Sequence, residues 1–393
     1  MLAARTTDAL GNAVAAMKIA RIEVFVLGLA FKSVFVLAGG VAGDPNTLSH
    51  RVLVKLTTDS GATGWGEATP TPRWTYETTE TIVSTLRHYL APAVIGIEVW
   101  NLDALHRAMG RAINPGLTPG SPLAKSAIDV AAHDAWGQAL NKPLYQLLGG
   151  CRRTEFDLTW MVSVTDPGDA EDAVAQGLAA GYTTFDVKVG MHGPAGDVDL
   201  VRRTRAAAPD SVLLVDANRA YRIDAAMRAA HQFDAFGIRH FEQPLDGFNL
   251  SGYRRLVAAS RVPIGIDESL RALPDLLEYI RADAIGVAVV KVQRNAGLFH
   301  SRRLCEMAQS AGLELAMSGL TETDLGLAAG LHLASAFDIN PLALNGPQYI
   351  DTPFLARRVW NGGGTVHLPQ GPGLGVDVDE TYVRHHALKA YRE

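Results

Sequence analysis

The sequence predicts an α/β protein: a (β/α)₈-type barrel (a modified TIM barrel) with an α+β N-terminal capping domain that the C-terminal tail completes. From about residue 156, eight apolar strand-like runs alternate with helical stretches. Upstream, strands and helices fall into separate blocks, which is typical of an α+β domain. The length of 393 residues exceeds what one simple core holds. We therefore expect a capping domain over 17–150, a barrel over 151–350 and a segment over 351–393 that packs back on the cap.

The N-terminal block begins with an extension, 1–16, that lacks the long apolar stretch of a signal peptide and is expected to be disordered. Residues 19–68 alternate between apolar and polar side chains, as strands do, and the DSG sequence at 59–61 predicts a hairpin turn. Residues 77–149 carry apolar side chains at helical spacing, with Pro and Gly marking the helix ends.

The strand-like runs of the barrel each lead into a helical or loop segment. In chain order they are LTWMVSV, TFDVKVG, VLLVDAN, IRHFEQP, VPIGIDES, AIGVAVVKVQ, LELAMSG and LALNGP. Strand side chains alternate between two faces, so Asp186 and Lys188 of the second run point the same way. Opposite charges on one face of an interior strand are costly to bury, and this cost raises the question of whether they belong to an active site.

Composition argues against several function classes. The formal net charge is -5 and no long basic run occurs, which argues against nucleic-acid binding. No segment resembles a transmembrane helix, because the most apolar stretch is broken by Lys32 and is rich in strand-forming residues. The two cysteines, Cys151 and Cys305, are expected to be reduced, and a cytoplasmic location follows as a prediction.

Charged residues end five consecutive strands of the predicted barrel. They follow one another at intervals of 24 to 28 residues, each matching one strand–helix unit: Lys188, Asp216, Glu242, Asp267 and Lys291. The C-terminal ends of barrel strands meet at one mouth, so these side chains are expected to converge there. Singly, each has an ordinary explanation, such as a helix N-cap for Asp216, and it is the set that indicates a site.

The three carboxylates form an all-oxygen site suited to Mg²⁺, and without a cation they would repel one another strongly. Lys188 and Lys291 flank them. A lysine in a dry pocket near a divalent cation is expected to have a lowered pKa and to act as a base. A cation bound to a substrate carboxylate would stabilise the dianion formed when the adjacent C–H loses its proton.

These residues resemble the enolase superfamily, in particular the muconate-lactonizing-enzyme-like subgroup of its mandelate racemase / muconate lactonizing enzyme family. The resemblance covers almost the whole chain from Met17. Its motifs, in order, are GWGEAT, AKSAIDVAAHDAWGQALNKPLYQLLGG, VKVG, VDAN, EQP, IDES, KVQRNAG and GPGLGV. Individually these motifs are weak, but in this order and spacing they are highly specific.

The resemblance implies roles for the charged strand ends and their neighbours. Asp216, Glu242 and Asp267 would bind one Mg²⁺ per subunit, with Mn²⁺ as a substitute, and Lys188 and Lys291 would be the acid/base pair. Residues that would orient the ligands or the substrate carboxylate are Asn218, Gln243 and Glu268. The resemblance also implies a homo-oligomer, either a dimer or an octamer.

Substrate contacts are expected from the strand ends and from cap loops at 36–46 and 70–76. The candidates are Asp186, Trp160, Ser318, Glu322, Asn345, Trp74 and Tyr76. Glu322 stands where the subgroup often has an acidic residue after the seventh strand. For Trp160, core packing is the favoured explanation. An aromatic side chain at Trp74 or Tyr76 would be able to stack on a ligand or on a cationic group.

Two departures from the family pattern bear on the substrate. The subgroup has Lys-x-Lys on the second barrel strand, and Asp186 replaces the first lysine, which normally helps to hold the substrate carboxylate. Asp186 either pairs with Lys188 and raises its pKa or faces a cationic group of the substrate, and we place the internal pair first. Members that epimerise dipeptides have Asp-x-Asp before Gly-Pro on the eighth strand. Here Ala343, Leu344 and Asn345 stand there, which argues against that activity.

Three hypotheses follow. The first is a Mg²⁺-dependent isomerase that abstracts the proton α to the carboxylate of a small acid through an enolate, as a racemase, epimerase or cycloisomerase. The second is a dehydratase of a hydroxy acid of the sugar-acid or hydroxyproline type. It is less favoured because Lys291 stands where sugar-acid dehydratases commonly have a histidine. The third is a barrel without activity that serves in binding, which the intact set of carboxylates and lysines disfavours.

Overall fold

The structure is a computed structural model that describes residues 17–37, 40–72, 74–116 and 119–393. Two sheets dominate this part of the chain: a four-stranded antiparallel sheet in the cap and an eight-stranded parallel sheet in the barrel. The expected extension at 1–16 lies outside the described residues. None of the helices described is long and apolar enough to pass through a bilayer.

The cap begins with strands and continues with helices, as the sequence predicts. Its strands are β1 (Ile19–Ala30), β2 (Phe35–Leu37), β3 (Gly40–Gly43), β4 (Leu48–Thr58) and β5 (Thr63–Ala68). β4 pairs antiparallel with both β1 and β5, and the turn at 59–61 joins β4 to β5. Helical segments follow at Thr79–Thr85, Leu86–Leu90, Ala91–Val94, Leu102–Ala112, Pro122–Leu140 and Leu144–Leu147.

The barrel contains eight parallel strands that coincide with the eight predicted runs. After the short β6 (Glu155–Asp157) they are β7 (Trp160–Val162), β8 (Thr184–Lys188), β9 (Val212–Asp216), β10 (Phe241–Glu242), β11 (Ile264–Ile266), β12 (Val287–Val290), β13 (Glu314–Ser318) and β14 (Leu342–Ala343). They are neighbours in chain order. The amide of Thr159 donates to the carbonyl of Leu342 at 3.0 Å, which brings the first and last strands together and nearly closes the ring.

Helices cover the outside of this ring and follow the strands in turn. They lie at Ala170–Ala179, Gly193–Ala207, Ile223–Phe233, Leu250–Ala259, Leu273–Arg281, Leu298–Ser310, Asp324–Phe337 and Gly346–Tyr349, with short 3₁₀ turns at Pro167–Asp169 and Asp234–Phe236. The alternation of strand and helix confirms the predicted barrel class.

The C-terminal tail returns to the cap. It contains β15 (Thr365–His367), the helix Glu380–His386 and β16 (Lys389–Arg392). β15 pairs antiparallel with β6 at the base of the barrel. β16 pairs antiparallel with β1, so the tail supplies the edge strand of the cap sheet and completes the capping domain as predicted.

Side chains of the barrel strands alternate between the helix layer and the interior. On β8, Phe185 is fully buried, and a Cβ built at Gly177 in the surrounding helix layer would lie 2.7 Å from its ring. Phe185 therefore points outward against the helices. Asp186 and Lys188 alternate with it and face the interior.

Two glycines of β5 let the cap sheet approach its longest helix, Pro122–Leu140. A Cβ at Gly64 would lie 2.1 Å from the carbonyl oxygen of Ala131, and one at Gly66 would lie 2.0 Å from that of Ala127. Since both obstructions are backbone atoms, they cannot move aside by a rotamer change. Glycine is required here for close packing of the strand against the helix.

We expect Gly66→Ala to lower the free energy of unfolding by about 3 kcal/mol, the upper end of the range for overpacking, because the helix backbone must shift. Gly110→Ala is the matched control, since Gly110 lies within a helix and the nearest atom to an added Cβ is 3.9 Å away. Alanine there should raise stability by about 0.5–1 kcal/mol. Urea unfolding followed by circular dichroism measures both, and equal effects would contradict the close-packing argument.

Candidate active site

Strand register brings the predicted charged residues together. Lys188 on β8 is the register partner of Asp216 on β9, and Asp216 is in turn the partner of Glu242 on β10. Asp267 and Lys291 directly follow β11 and β12. All five lie at the C-terminal ends of neighbouring strands and are at most 8% exposed. The mouth of the barrel is thus a buried cluster of carboxylates and ammonium groups.

Direct ion pairs balance this cluster on two sides. Lys188 Nζ lies 2.6 Å from Asp216 Oδ2 and 2.8 Å from Asp186 Oδ2. On the other side, Lys291 Nζ lies 2.7 Å from Asp267 Oδ2. The guanidinium of Arg294 contacts the second oxygen of Asp267. Both predicted lysines therefore contact carboxylates that are predicted metal ligands.

The pKa shifts reflect burial first and these contacts second. Burial raises the pKa of Glu242 well above its usual range, and the neighbouring carboxylates of Asp216 and Asp267 raise it further. Burial alone would lower the pKa of Lys188, but Asp186 and Asp216 outweigh burial and raise that pKa. The internal pair of Asp186 and Lys188 is present, and it holds the lysine in its charged form.

The three carboxylates fit a divalent cation by residue type and position. Mutual repulsion contributes to the raised pKa of Glu242, and a cation placed among the three would relieve that repulsion. The donor set is entirely oxygen, which Mg²⁺ prefers. As the side chains stand, no group of three or more His, Cys, Asp or Glu in the described chain is arranged to hold a metal. Oxygens of Asp216 and Asp267 are instead turned toward Lys188 and Lys291.

Asn218 holds the carboxylates beside it, and Gln243 holds the backbone at Asp267. The backbone amide of Asn218 donates to Asp216 Oδ1 at 2.8 Å, and its side chain donates to Glu268 Oε1 at 3.1 Å. Gln243 Oε1 accepts from the backbone amide of Asp267 at 2.7 Å. Asn218 and Gln243 have φ values of 42° and 39°, an uncommon conformation that recurs at functional sites.

A cavity open to solvent lies above the cluster, and the cavity together with the solvent space at its mouth amounts to about 630 Å³. The predicted site residues along its wall are Asp186, Lys188, Asp216, Asn218, Lys291, Ser318, Asn345 and Trp74. Both lysines thus face the same space. Thr71 and Trp74 bring the cap loop to the cavity, whereas Val41 and Asp44 of the other predicted loop line a larger adjoining groove.

Three predicted contacts are placed elsewhere. Trp160 packs on Tyr182, with ring centroids 5.1 Å apart, and so faces the helix layer as the packing explanation predicted. Glu322 lines a smaller cavity beside Glu67 rather than the main one. Tyr76 is 57% exposed and is absent from the cavity wall in the described residues.

Thr71 lies in the predicted cap loop 70–76, and the cavity also contains residues that sequence reasoning missed: Met161, Gly319, Leu320, Thr321 and Ala343. Met161 is the register partner of Asp186, so it faces inward because its neighbour Trp160 faces outward. Strand alternation contained that signal. Arg294, within the KVQRNAG motif, was also missed, and its contact with Asp267 depends on how the loop after β12 folds.

Comparison with known proteins bears on this site. Residues 41–149 match the model of the mandelate racemase / muconate lactonizing enzyme N-terminal domain, and residues 169–382 match that of the enolase C-terminal domain-like family. The two matches together cover most of the chain in the order that the fold shows. The chain belongs to the mandelate racemase / muconate lactonizing enzyme family.

Curated relatives of this family member are isomerases. An N-succinyl-L-Arg/Lys racemase of Bacillus cereus is 29% identical over 93% of this chain and 96% of its own length. An L-Ala-D/L-Glu epimerase of Bacillus subtilis is 30% identical over 84% of this chain and 89% of its own length. A chloromuconate cycloisomerase of Cupriavidus pinatubonensis is 32% identical over 86% of this chain and 91% of its own length. As a member of the family, the chain is an enzyme of the isomerase class.

Solved structures of the family share the fold throughout. The Bacillus cereus racemase superposes with a TM-score of 0.87 at 27% identity, covering 96% of this chain and all of the other. A dipeptide epimerase of Enterococcus faecalis, solved with Mg and the dipeptide L-Leu-L-Tyr, superposes with a TM-score of 0.85 at 26% identity, covering 92% of this chain and all of the other. The second of these shows that a structural neighbour of this chain was solved together with magnesium.

A buried ion pair joins the cap of this family member to the barrel mouth. Arg51 on β4 is fully buried, with Nε 3.3 Å from Glu67 Oε1 on β5. Glu67 accepts from the amide of Thr323 at 3.0 Å and from its hydroxyl at 2.7 Å, at the start of the helix Asp324–Phe337. Arg51 also donates to the carbonyl of Thr321 at 2.7 Å, and Thr321 lines the cavity.

We expect Glu67→Gln to lower the free energy of unfolding by about 3 kcal/mol, because it leaves the Arg51 charge buried without its partner. It should also raise KM, since Arg51, which donates to the cavity-lining Thr321, loses the carboxylate that holds it in place. Asp103→Asn removes an exposed pair with Arg107 and should leave stability essentially unchanged. Thermal unfolding and steady-state kinetics measure these effects. Equal stability of the two variants would show that the cap and barrel do not depend on the Arg51–Glu67 pair.

Proposed function

We propose that the chain is a Mg²⁺-dependent racemase, epimerase or cycloisomerase that removes the proton α to the carboxylate of a small acid through an enolate intermediate. The observation that carries this proposal is the position of Lys188 and Lys291. They lie at the ends of the second and sixth of eight strands, on opposite sides of the ring, and both line the same cavity. Lysines on opposite faces allow one, as a neutral amine, to remove a proton from one side, and the other, as an ammonium, to return a proton from the other side.

The metal would be held by Asp216, Glu242 and Asp267, and when bound it would supply positive charge next to the developing enolate. The chain's own contribution is positioning. Contacts with Asp186 and Asp216 hold the Lys188 ammonium at one wall, and Asp267 holds that of Lys291 at the other. Burial of these groups keeps water from the reacting carbon and strengthens their electrostatic effect.

The racemase, epimerase and cycloisomerase relatives support this reaction class. A dipeptide substrate is not favoured, because the eighth strand carries Ala343 and Asn345 in place of the expected carboxylates. The amide of Asn345 is already used inside the barrel, donating to the carbonyl of Thr159 at 2.8 Å. A homo-oligomeric state and a cytoplasmic location stay predictions.

Deuterium exchange tests the chemistry. The enzyme is incubated with Mg²⁺ in D₂O and pools of small carboxylic acids, and mass spectrometry detects label at the α-carbon. We expect Lys188→Ala and Lys291→Ala each to lower exchange or turnover by about 10²- to 10⁴-fold, the range for loss of a general acid or base. Lys142→Ala, at an exposed lysine, should have no effect. Exchange that survives in both active-site variants would rule out the proposed pair, and loss of water from a substrate would favour a dehydratase.

Calorimetry tests the metal separately. We expect the wild-type chain to bind one Mg²⁺ and Asp216→Asn to weaken binding by about 100-fold, since loss of even a residue that supports a metal ligand costs about 10- to 100-fold. Asp199→Asn, at a partly exposed aspartate of the helix Gly193–Ala207 outside the cavity wall, should bind as the wild type does. Chelation should abolish α-exchange. Wild-type protein that binds no Mg²⁺ would contradict the metal assignment.

A further inference from the structure

Asp186 brings an unmatched carboxylate oxygen to the cavity. Its side chain is 8% exposed, and its Oδ2 pairs with Lys188 at 2.8 Å. Its other oxygen, Oδ1, is buried and has no hydrogen-bond partner in the described chain. A buried carboxylate oxygen without a donor is costly. The χ2 angle of an aspartate, which rotates the carboxylate, has a broad and roughly two-fold distribution. Either oxygen of Asp186 is therefore able to turn toward a ligand in the cavity.

The charge of Asp186 is also incompletely balanced. Lys188 contacts both Asp186 and Asp216, so one ammonium serves two carboxylates. Among the described residues that line the cavity, Lys291 is the other cation, and it contacts Asp267 instead. In the metal-free chain the wall near β8 therefore has two carboxylates for one ammonium group. A Mg²⁺ ion at Asp216 would balance that carboxylate, and a cationic group on the substrate would then be the partner left for the free oxygen of Asp186.

Residues of the neighbouring strands and of the cap loop line the cavity beside Asp186. Met161 lies opposite Asp186 in strand register, and Ala343 lines the same cavity from β14. Trp74 reaches the cavity from the cap loop and offers an indole ring, whose face attracts cations. A carboxylate oxygen without a donor, next to the apolar side chains of Met161 and Ala343 and with an aromatic ring on the same cavity, is suited to a positively charged nitrogen on a small molecule.

We propose that the substrate carries a protonated amino group that donates a hydrogen bond to Asp186, so that the enzyme acts on small carboxylic acids with a free amine rather than on N-acylated or dicarboxylic acids. This inference rests on the proposed function, because it assigns a substrate class to the same cavity. The substrate carboxylate would face the metal-binding carboxylates and lysines, and the ammonium would face β7 and β8.

Matched ligands test the assignment. Each set contains a small amino or imino acid, its N-acetyl derivative, its N-succinyl derivative and its N-trimethylated or N-dimethylated betaine. Binding is measured by calorimetry with Mg²⁺ present, and α-deuterium exchange is measured in parallel. In at least one set, the free amine should bind at least about tenfold more tightly than the acylated members, as expected for a hydrogen bond between charged groups.

Variants show whether Asp186 is responsible. Asp186→Asn should remove the preference for the amine, and Asp186→Lys should reverse it in favour of the N-succinyl member. Asp169→Asn, at an exposed aspartate outside the cavity, should leave the preference unchanged. The ratio of affinities within a set in the wild-type protein tests the proposal even if a variant fails to fold.

The outcomes separate this inference from the proposed function. Equal or tighter binding of the acylated members, or no binding of any free amine, overturns the assignment of Asp186. If α-exchange that depends on Lys188 and Lys291 is then seen with acylated acids, the proposed function stands while the assignment of Asp186 to a substrate amine fails. A betaine that binds as tightly as the amine overturns the hydrogen bond from N–H. Preferential amine binding without exchange supports the substrate class while contradicting the proton-transfer reaction.

Discussion

The balance of buried charge at the barrel mouth is the constraint on which the site depends. Three neighbouring strands end in carboxylates that are almost completely removed from water, and burial of isolated charges is too costly to persist. Lys188, Lys291 and Arg294 offset that cost in the chain as it stands. A divalent cation would take over part of this role and free the lysines for proton transfer.

The cap and the barrel meet around the same mouth, so stability and function are linked there. β5, which packs closely against the helix Pro122–Leu140, contains Glu67 near its end. The loop with the cavity-lining Thr71 and Trp74 follows directly after β5. Glu67 joins the cap to the helix that follows β13. The cap thus fixes one wall of the cavity through buried polar contacts, which tolerate little displacement.

Sequence reasoning reached the barrel and the charged strand ends because both follow from short-range regularities. The alternation of apolar runs with helical stretches predicts the strands, and the intervals between the charged strand ends match one strand–helix unit each. In a parallel barrel the C-terminal ends of the strands meet at one mouth. The cavity wall was harder to predict. Glu322 directly follows the cavity-lining residues 318–321 yet lines the smaller cavity beside Glu67, because left-handed backbone at Thr321, with φ of 63°, redirects the chain. Arg294 and Thr71 reach the site from loops, whose paths depend on tertiary contacts.

Asp186 is an example of how one residue on a strand of the family's barrel sets the charge of the group that the barrel is able to recognise. A lysine at this position of β8 would add positive charge beside Lys188 and favour an anion, as the family pattern implies. The aspartate reverses that sign while remaining tied to Lys188 by the ion pair at 2.8 Å. That pair offsets much of the cost of burying the carboxylate. Under the proposed assignments, the reversal leaves both lysines of the acid/base pair in place and alters the charge of the group that the adjoining wall would accept.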